Sequence, residues 1–569
     1  MTTTKIPIYP GRRLVVLGLF LSGIALLAVR AVELQVFKHD FLQQKGNARQ
    51  IRVVEIPAHR GMILDRLGEP LAISTPVDSI WANPTRVSHQ PEDIQALAQL
   101  LGTSEKSLLS TLDAHPGRRF VYLKRHMTPE QAQQIAALNI HGIGVQREYR
   151  RYYPMGEIFG HVLGFTDIDD NGQEGIELAY NDWLTGKPGS KRVVKEGRGK
   201  VINVVDLIKA AHPGQDLRLS IDSRIQYLAY RELKAAVEAN DAESGSVVVL
   251  DPRTGEVLAM VNQPFFNPNN RRQFQGRRYR NRAVKDLFEP GSTAKPFTIS
   301  AALESGQFKP TTLIDTSPGR YKVSGYPIKD VRNYGVIDLA TVISKSSNVG
   351  ASKVALKIPK ETLWDVFQKV GFGQPTGSGF PGEAAGVLRD YSLWYPLDQA
   401  TLAFGYGFSV TPLQLAEAYS VIASDGMHRP VSFLQQTGDD IEGERVLKPE
   451  TCQAVRKMMQ KVVQPQGTGF RAVVEGYRVA GKTGTVRKAQ RGGYSTDRYV
   501  SVFAGMVPAE TPRLVAVVVI NEPKAGKYYG GEVAAPVFSR IMSEALRQLN
   551  VPPDNLLPRN SVNTGTGPV

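Results

Sequence analysis

An unbroken uncharged run extends from Leu14 to Val29, between the pair Arg12 and Arg13 and the single Arg30. As a helix it spans about 24 Å, slightly less than a hydrocarbon core of about 30 Å. Snorkelling of the flanking arginines, with Ala31 and Val32, covers the difference, so we expect a transmembrane signal-anchor over 14–32. Lys5, Arg12 and Arg13 precede the run with no acidic residue among them. By the positive-inside rule this leaves 1–13 in the cytoplasm and sends the remainder outward. A cleaved signal peptide is the rival, because Val29-Arg30-Ala31 loosely resembles a small-residue cleavage site. The length of the run, and an arginine beside the scissile bond, argue against it.

From about Val36 the pattern turns polar. Segment 61–215 mixes short strand-like runs, turn formers such as Asp169-Asp170-Asn171-Gly172 and helix-like stretches such as 91–113, and reads as an α+β module. Turn residues at His212-Pro213-Gly214-Gln215 mark a boundary. Beyond it the spacing predicts a helix over Ser223–Asn240 and strands over Ser246–Leu250 and Glu256–Val261, joined by a tight turn from Pro252 to Gly255. Two further apolar strands, Val500–Val507 and Leu514–Ile520, precede a helix over Val537–Leu549. Strands at both ends with helices between imply a sheet assembled from distant parts of the chain. From Val551 the chain is rich in Pro, Asn, Gly and Thr, and a disordered tail is expected over 551–569. No internal repeat is visible.

Composition narrows the field. A chain of 569 residues suggests two to four domains, and 42% hydrophobic with 22% charged residues is a globular balance. The net charge of +15 favours anionic partners: nucleic acid, anionic lipid or a carboxylate-rich polymer. Outward placement of the large domain removes nucleic acid. Cys452 is the single cysteine, so neither an intramolecular disulfide nor a multi-cysteine zinc site is expected, and the nine histidines form no metal-ligand spacing.

Candidate chemistry gathers at three places. In Pro290-Gly291-Ser292-Thr293-Ala294-Lys295-Pro296, Pro290 keeps Glu289 out of the helical region. Pro296 is tolerated only in a first helical turn, where its missing N–H has no partner to lose. The two prolines predict a helix start close to Ser292, with Lys295 three residues on and on the same face. A serine there sits where a developing oxyanion is stabilised. A lysine whose ammonium is destabilised by burial can act as its base. The same pattern also suits a capping serine beside a solvated lysine.

The second place is Ser346-Ser347-Asn348, where Ser346 could relay a proton and Asn348 could bond a peptide amide. By itself it is also an ordinary polar loop. The third is Lys482-Thr483-Gly484-Thr485, after Val479-Ala480-Gly481. Small residues there suggest a strand bordering a cleft, where backbone groups can pair with a peptide-like substrate. Strict alternation points Lys482 and Thr483 to opposite faces, so both reach one site only from a twisted edge strand. Each motif alone is weak, but Ser-x-x-Lys, Ser-x-Asn and Lys-Thr-Gly in this order form a known set.

On these residues the chain resembles the class B penicillin-binding proteins, and most closely the division-specific, septal type. The likeness runs from the N-terminal apolar run to about residue 550. It includes Arg60-Gly61-Met62-Ile63-Leu64-Asp65-Arg66, Arg151-Tyr152-Tyr153-Pro154-Met155-Gly156 and Gly172-Gln173-Glu174-Gly175-Ile176-Glu177. Glu289-Pro290-Gly291, Gly405-Tyr406-Gly407 and Asn521-Glu522-Pro523 extend it.

The resemblance implies a pedestal domain of the dimerisation type over 33–215. It implies a transpeptidase domain over 216–550 with the α/β penicillin-recognising fold, an antiparallel sheet flanked by helices. It implies that Ser292 attacks the penultimate D-Ala carbonyl of a stem peptide with Lys295 as base. The backbone N–H groups of Ser292 and Thr485 would form the oxyanion hole. Ser346 and Lys482 would pass a proton to the leaving D-Ala, and Asn348 would hold the substrate backbone. Thr483, Gly484, Thr485, Glu289 and Tyr406 would line the substrate, and no metal or organic cofactor is implied.

Implied partners are stem peptides on lipid-linked precursors or nascent strands, β-lactams, the membrane, a separate glycosyltransferase and other division proteins. The implied place is the bacterial inner membrane, single-pass, with the catalytic domain in the periplasm.

Arg271, Arg272, Arg277, Arg278, Arg280 and Arg282 could attract acidic stem peptides or form a solvated loop. The glycine-rich stretch Gly371 to Gly382 lacks the strand-to-helix context of a phosphate loop. His161 stands alone and reads as structural. A class A β-lactamase needs a further carboxylate followed by an asparagine, and no asparagine occurs between Asn348 and Lys482. A D,D-carboxypeptidase and a non-catalytic β-lactam-binding scaffold or sensor remain as alternatives.

Overall fold

The computed structural model describes residues 10–42, 51–195, 201–270, 276–437, 441–490 and 492–555. Arg271 and Arg272 of the basic cluster, and 556–569 of the expected tail, lie outside the described residues. The apolar run forms the helix Pro10–Val32, which continues through a π-helical turn, Glu33–Phe37. The span Pro10–Phe37 is long and apolar enough to cross a membrane, and its side chains are unburied within the chain.

The described chain divides into two compact units. One comprises residues up to His59 together with Pro76–Arg150 and Gly186–Pro213. Here the helix-like stretch 91–113 is two helices, Pro91–Leu101 and Glu105–Asp113. The break falls at Gly102, whose φ of +66° is the left-handed cap conformation that glycine adopts without a Cβ penalty. Ser104 then caps the second helix through the Ser107 N–H. The helices share a core of Leu97, Leu101, Leu108, Met127 and Ile135 with the later half of strand Pro70–Ala82. A separate antiparallel sheet of Ile51–Ile56, Gly189–Lys195 and Val201–Lys209 completes this unit.

The other unit comprises Arg60–Thr75, Arg151–Thr185 and Gly214 onward. In it the three non-catalytic motifs converge on one buried carboxylate. Glu177 accepts from Arg60 Nε at 2.7 Å and from Arg151 Nε at 2.6 Å, with all three side chains almost wholly buried. Two guanidiniums on one carboxylate are costly to bury unless further bonds satisfy them. Arg60 also donates to Glu177 O and Thr185 Oγ1, and Arg151 to Gly61 O.

The same unit holds a five-stranded sheet in the order Val257–Gln263, Ser244–Leu250, Leu514–Asn521, Gly493–Val507, Ala480–Gln490, antiparallel throughout. The first two strands are buried at every residue, which is why they read as continuous apolar runs rather than alternating ones. Val247 faces Val518, and Val502 faces Val519, so β-branched pairs knit segments that lie far apart in the chain. Helices Ser223–Ala239, Ala535–Gln548 and Pro412–Ala423 pack against this sheet. Of the expected tail, residues 551–555 are docked: Val551 O accepts from Tyr477 Oη at 2.5 Å, and the Arg478 N–H bonds Asp554 at 2.8 Å. Cys452 is buried, and burial pushes its thiol up to about 12. His161 is buried too, with Nε2 2.8 Å from Arg278 O, and burial pulls its pKa down to about 4.

Candidate active site

Ser292 lies on a short 3₁₀ turn, Gly291–Ala294, and the α-helix proper begins one step later, at Lys295–Glu304. Pro296 occupies its first turn, as the missing N–H requires. The turn is pinned from behind. Gly291 N–H donates to Gly405 O at 3.0 Å, and a Cβ at Gly405 would come within 1.9 Å of Gly291 O. Gly405 also has φ +87°, so only glycine fits there. Tyr419 Oη donates to Thr293 O at 2.9 Å, and Phe297 packs edge-on against Phe372 and Tyr419 beneath the helix. The turn that carries Ser292 therefore rests on rigid core.

Lys295 is wholly buried, and its Nζ meets four oxygens. It lies 2.9 Å from Ser292 Oγ, 2.7 Å from Ser346 O, 3.1 Å from Ser346 Oγ and 2.7 Å from Asn348 Oδ1. Ser346 Oγ is in turn 2.9 Å from Ser292 Oγ and 3.0 Å from Lys482 Nζ. Burial pushes the proton affinity of Lys295 well below that of an ordinary lysine, and the charge of Lys482 adds to this, while Asp330 opposes both. Burial likewise brings Lys482 down to about 7. A neutral amine near neutral pH is what a serine hydroxyl needs as proton acceptor. Thus Ser292, Lys295, Ser346, Asn348 and Lys482, three sequence motifs, form one connected proton network.

The Lys-Thr-Gly motif begins the outer strand Ala480–Gln490, whose far side is an edge of the five-stranded sheet. Lys482 and Thr483 do turn apart. Lys482 goes to Ser346, whereas Thr483 Oγ1 donates to Thr468 Oγ1 at 2.8 Å. Gly484 passes close to the Ser292 turn, since a Cβ there would meet Thr293 Cγ2 at 3.1 Å and Pro290 O at 3.2 Å. Thr485 Oγ1 accepts from the Gly530 N–H at 3.0 Å. Glu289 and Tyr406 stand outside the proton network. Glu289 Oε1 accepts from Gly407 N–H at 2.8 Å and from Tyr494 Oη at 3.0 Å, while its Oε2 is buried without a hydrogen-bond partner among the described residues. Burial raises its carboxyl above the usual range. The Tyr406 ring meets Tyr494 edge-on at 5.3 Å.

Sequence reasoning passed over Asp330, Thr468, Tyr494 and Tyr419. Each meets its partner across at least fifteen residues, and none carries a local spacing that would single it out. Among the six arginines before Ser292, Arg280 and Arg282 pair with Asp286.

A serine on a rigid turn, a buried amine as acceptor and a sheet edge beside them define an arrangement suited to acyl transfer through a serine ester. The chain belongs to the class B penicillin-binding proteins. A model described as penicillin binding protein transpeptidase domain matches residues 245–543, and one described as penicillin-binding protein dimerisation domain matches 55–219. It is 44% identical to peptidoglycan D,D-transpeptidase FtsI of Escherichia coli K12, over 95% of this chain and 92% of that one. It is 43% identical to the probable peptidoglycan D,D-transpeptidase PbpC of Pseudomonas aeruginosa, over 96% of both. The transpeptidase domain of penicillin-binding protein 3 from Burkholderia pseudomallei superposes with a TM-score of 0.55 at 45% identity, covering 59% of this chain and 97% of that one. Penicillin-binding protein 3 of Mycobacterium tuberculosis, solved with aztreonam, gives 0.68 at 29% identity over 88% of this chain and 98% of that one.

Proposed function

We propose that Ser292 is acylated during the cross-linking of peptidoglycan stem peptides. The chain is a peptidoglycan D,D-transpeptidase of the division type and a penicillin target. The observation that carries the Ser292 assignment is the wholly buried Lys295 Nζ, 2.9 Å from Ser292 Oγ and depressed in proton affinity.

Neutral Lys295 takes the Ser292 proton as Oγ attacks the penultimate D-Ala carbonyl. The backbone N–H groups of Ser292 and Thr485 hold the oxyanion. As the intermediate collapses, the C–N bond to the terminal D-Ala breaks. That nitrogen receives a proton through Ser346, which Lys482 can recharge across its 3.0 Å contact. An acceptor amine from a second stem then attacks the ester, returns the proton through the same network and frees Ser292. Asn348 holds the donor backbone, and Thr483, Gly484 and Thr485 present the sheet edge to it. Glu289 and Tyr406 line the outer part of the cleft. By function the chain divides into a pedestal over 33–215 and a transpeptidase domain over 216–550.

The helix Pro10–Phe37 serves as a single-pass anchor in the inner membrane, with the catalytic domain in the periplasm. Glycan polymerisation then falls to a separate glycosyltransferase acting with other division proteins.

The test is labelling of the purified chain with a fluorescent penicillin, wild type beside Ser292→Ala. A persistent covalent band lost in the variant supports the assignment. A band of equal strength in Ser292→Ala, or none in well-folded wild type, sinks it, and a band that decays quickly favours hydrolysis over transfer.

A further inference from the structure

Three aromatic rings stand outside the hydrophobic core of the unit that holds Pro76–Arg150. Trp81, near the end of strand Pro70–Ala82, faces Tyr122 on the neighbouring strand Val121–Met127. Phe120 stacks on Trp81, with centroids 5.0 Å and planes 25° apart, and meets Tyr122 edge-on at 4.8 Å. The stack is braced from two sides. A Cβ at Gly144, on the strand Ile143–Tyr152, would come within 2.4 Å of the Trp81 ring, so only bare backbone fits against it. Tyr122 Oη donates to Glu148 Oε1 at 2.8 Å, and the Arg125 guanidinium lies 4.7 Å from the Tyr122 ring centre. Rings held in this way lose little freedom when a ligand arrives. Phe120 nevertheless stays 41% exposed. The turn His115–Arg118, closed by Arg118 N–H to His115 O at 3.1 Å, sets Arg118 and Arg119 directly before it. Both are exposed, and neither guanidinium pairs with a carboxylate among the described residues. Glu148, which holds Tyr122, is already engaged by Arg125 at 3.0 Å.

The negative face of an aromatic ring attracts the C–H side of a sugar ring, whose hydrogens carry partial positive charge. Free guanidiniums beside it suit carboxylates, which they bind in a fork. A polymer of sugars that carries acidic peptides offers both at close spacing. We propose that Phe120, backed by Trp81 and Tyr122, forms with Arg118 and Arg119 a docking site for the peptidoglycan strand. A sugar stacks on the open ring of Phe120, and the two arginines hold carboxylates of the attached stem peptides. The inference rests on the reading of the chain as an enzyme acting on peptidoglycan, and it uses none of the residues of the Ser292 network. One open ring and two side chains fall well short of the roughly 800 Å² that a stable protein interface buries on each partner, whereas they match a narrow polymer. A strand held by one part of the chain raises the local concentration of its other stems for the rest of the same molecule.

The experiment is binding of fluorescent, uncross-linked peptidoglycan strands to the full chain in detergent, read by anisotropy, beside the same strands stripped of their stem peptides. Wild type is expected to bind both, and the intact strands more tightly at low salt. Phe120→Ala is expected to weaken both about tenfold, and Phe120→Tyr, which keeps the ring face, to stay within about twofold of wild type. Reversing both cations, Arg118→Glu with Arg119→Glu, is expected to weaken intact strands about tenfold at low salt and stripped strands less. Wild-type affinity for stripped strands in a folded Phe120→Ala would overturn the proposal. So would a loss that tracks a lowered melting temperature and is not recovered in Phe120→Tyr. Polyglutamate competing as well as the strands would overturn it in favour of an acidic protein partner. Strand binding by wild type that takes up no penicillin would instead sink the Ser292 reading, so the two failures are distinguishable.

Discussion

Lys482 shows how much of this site is held against its own chemistry. An amine brought from an ordinary value of 10.5 to about 7 by burial binds protons less tightly in the folded chain than in the unfolded one. The folded state is therefore penalised most below about 7 and recovers as pH rises toward the unfolded value. Lys482→Met should raise stability by about 1–2 kcal/mol near neutral pH, read as a higher midpoint of thermal unfolding, while penicillin labelling falls steeply. The gain should shrink as the pH is raised toward 10. A lower midpoint in the variant would mean that Lys482 is stabilised by its site rather than strained by it.

The site residues legible in the sequence are those in short motifs. Ser292 and Lys295 are three apart, and Ser346 and Asn348 two apart, so local geometry constrains them. The alternation that sets Lys482 and Thr483 on opposite faces also holds. Asp330 and Thr468 are not legible, because a lone acid or threonine acquires its meaning only from a partner far along the chain.

Among the elements, the helix Pro412–Ala423 carries a less obvious device. Thr411 and Gln414 cap it reciprocally, and its Tyr419 braces the turn that carries Ser292. On the same helix Glu417 is almost wholly buried. Its Oε1 lies 3.0 Å from His428 Nε2, and its Oε2 has no hydrogen-bond partner among the described residues. Burial raises Glu417 to about 7, with Glu383 adding to the rise and His428 opposing it. The hydrogen bond that His428 donates to the Glu417 carboxylate is the chief cause that raises His428.

Both folded values lie above their unfolded ones, so the pair's contribution is complete at low pH and is lost as pH climbs through about 7. Glu417→Gln should flatten that loss, making the variant more stable than wild type by about 1–3 kcal/mol at pH 8 and little different at pH 5. Chemical denaturation at the two pH values checks it. Equal differences at both would show that the carboxyl does not titrate in this range. The boundaries of elements are less legible than their existence. The N-terminal helix overruns the expected 14–32 at both ends, and the first α-helical residue is Lys295 rather than Ser292, because a 3₁₀ turn intervenes.

At the scale of the whole molecule, the expectation that distant strands meet in one sheet is met, since apolar runs of that length have no other way to be covered. The meeting of Arg60, Arg151 and Glu177 does not follow from spacing alone, although each stands in a motif that carries the family resemblance. The strand order also has a consequence for how the enzyme comes into being. Leu514–Asn521 is the last of the five strands in the chain, yet it is the central one, lying between Ser244–Leu250 and Gly493–Val507. Until it emerges there are two separate hairpins, one packed against the helices Ser223–Ala239 and Pro412–Ala423 and the other carrying Lys482. A nascent chain arrested before Leu514 should therefore take up no penicillin, whereas release to full length should restore uptake at once. On that expectation the drug poisons only chains in which Leu514–Asn521 has emerged, and the late central strand acts as a latch on the site.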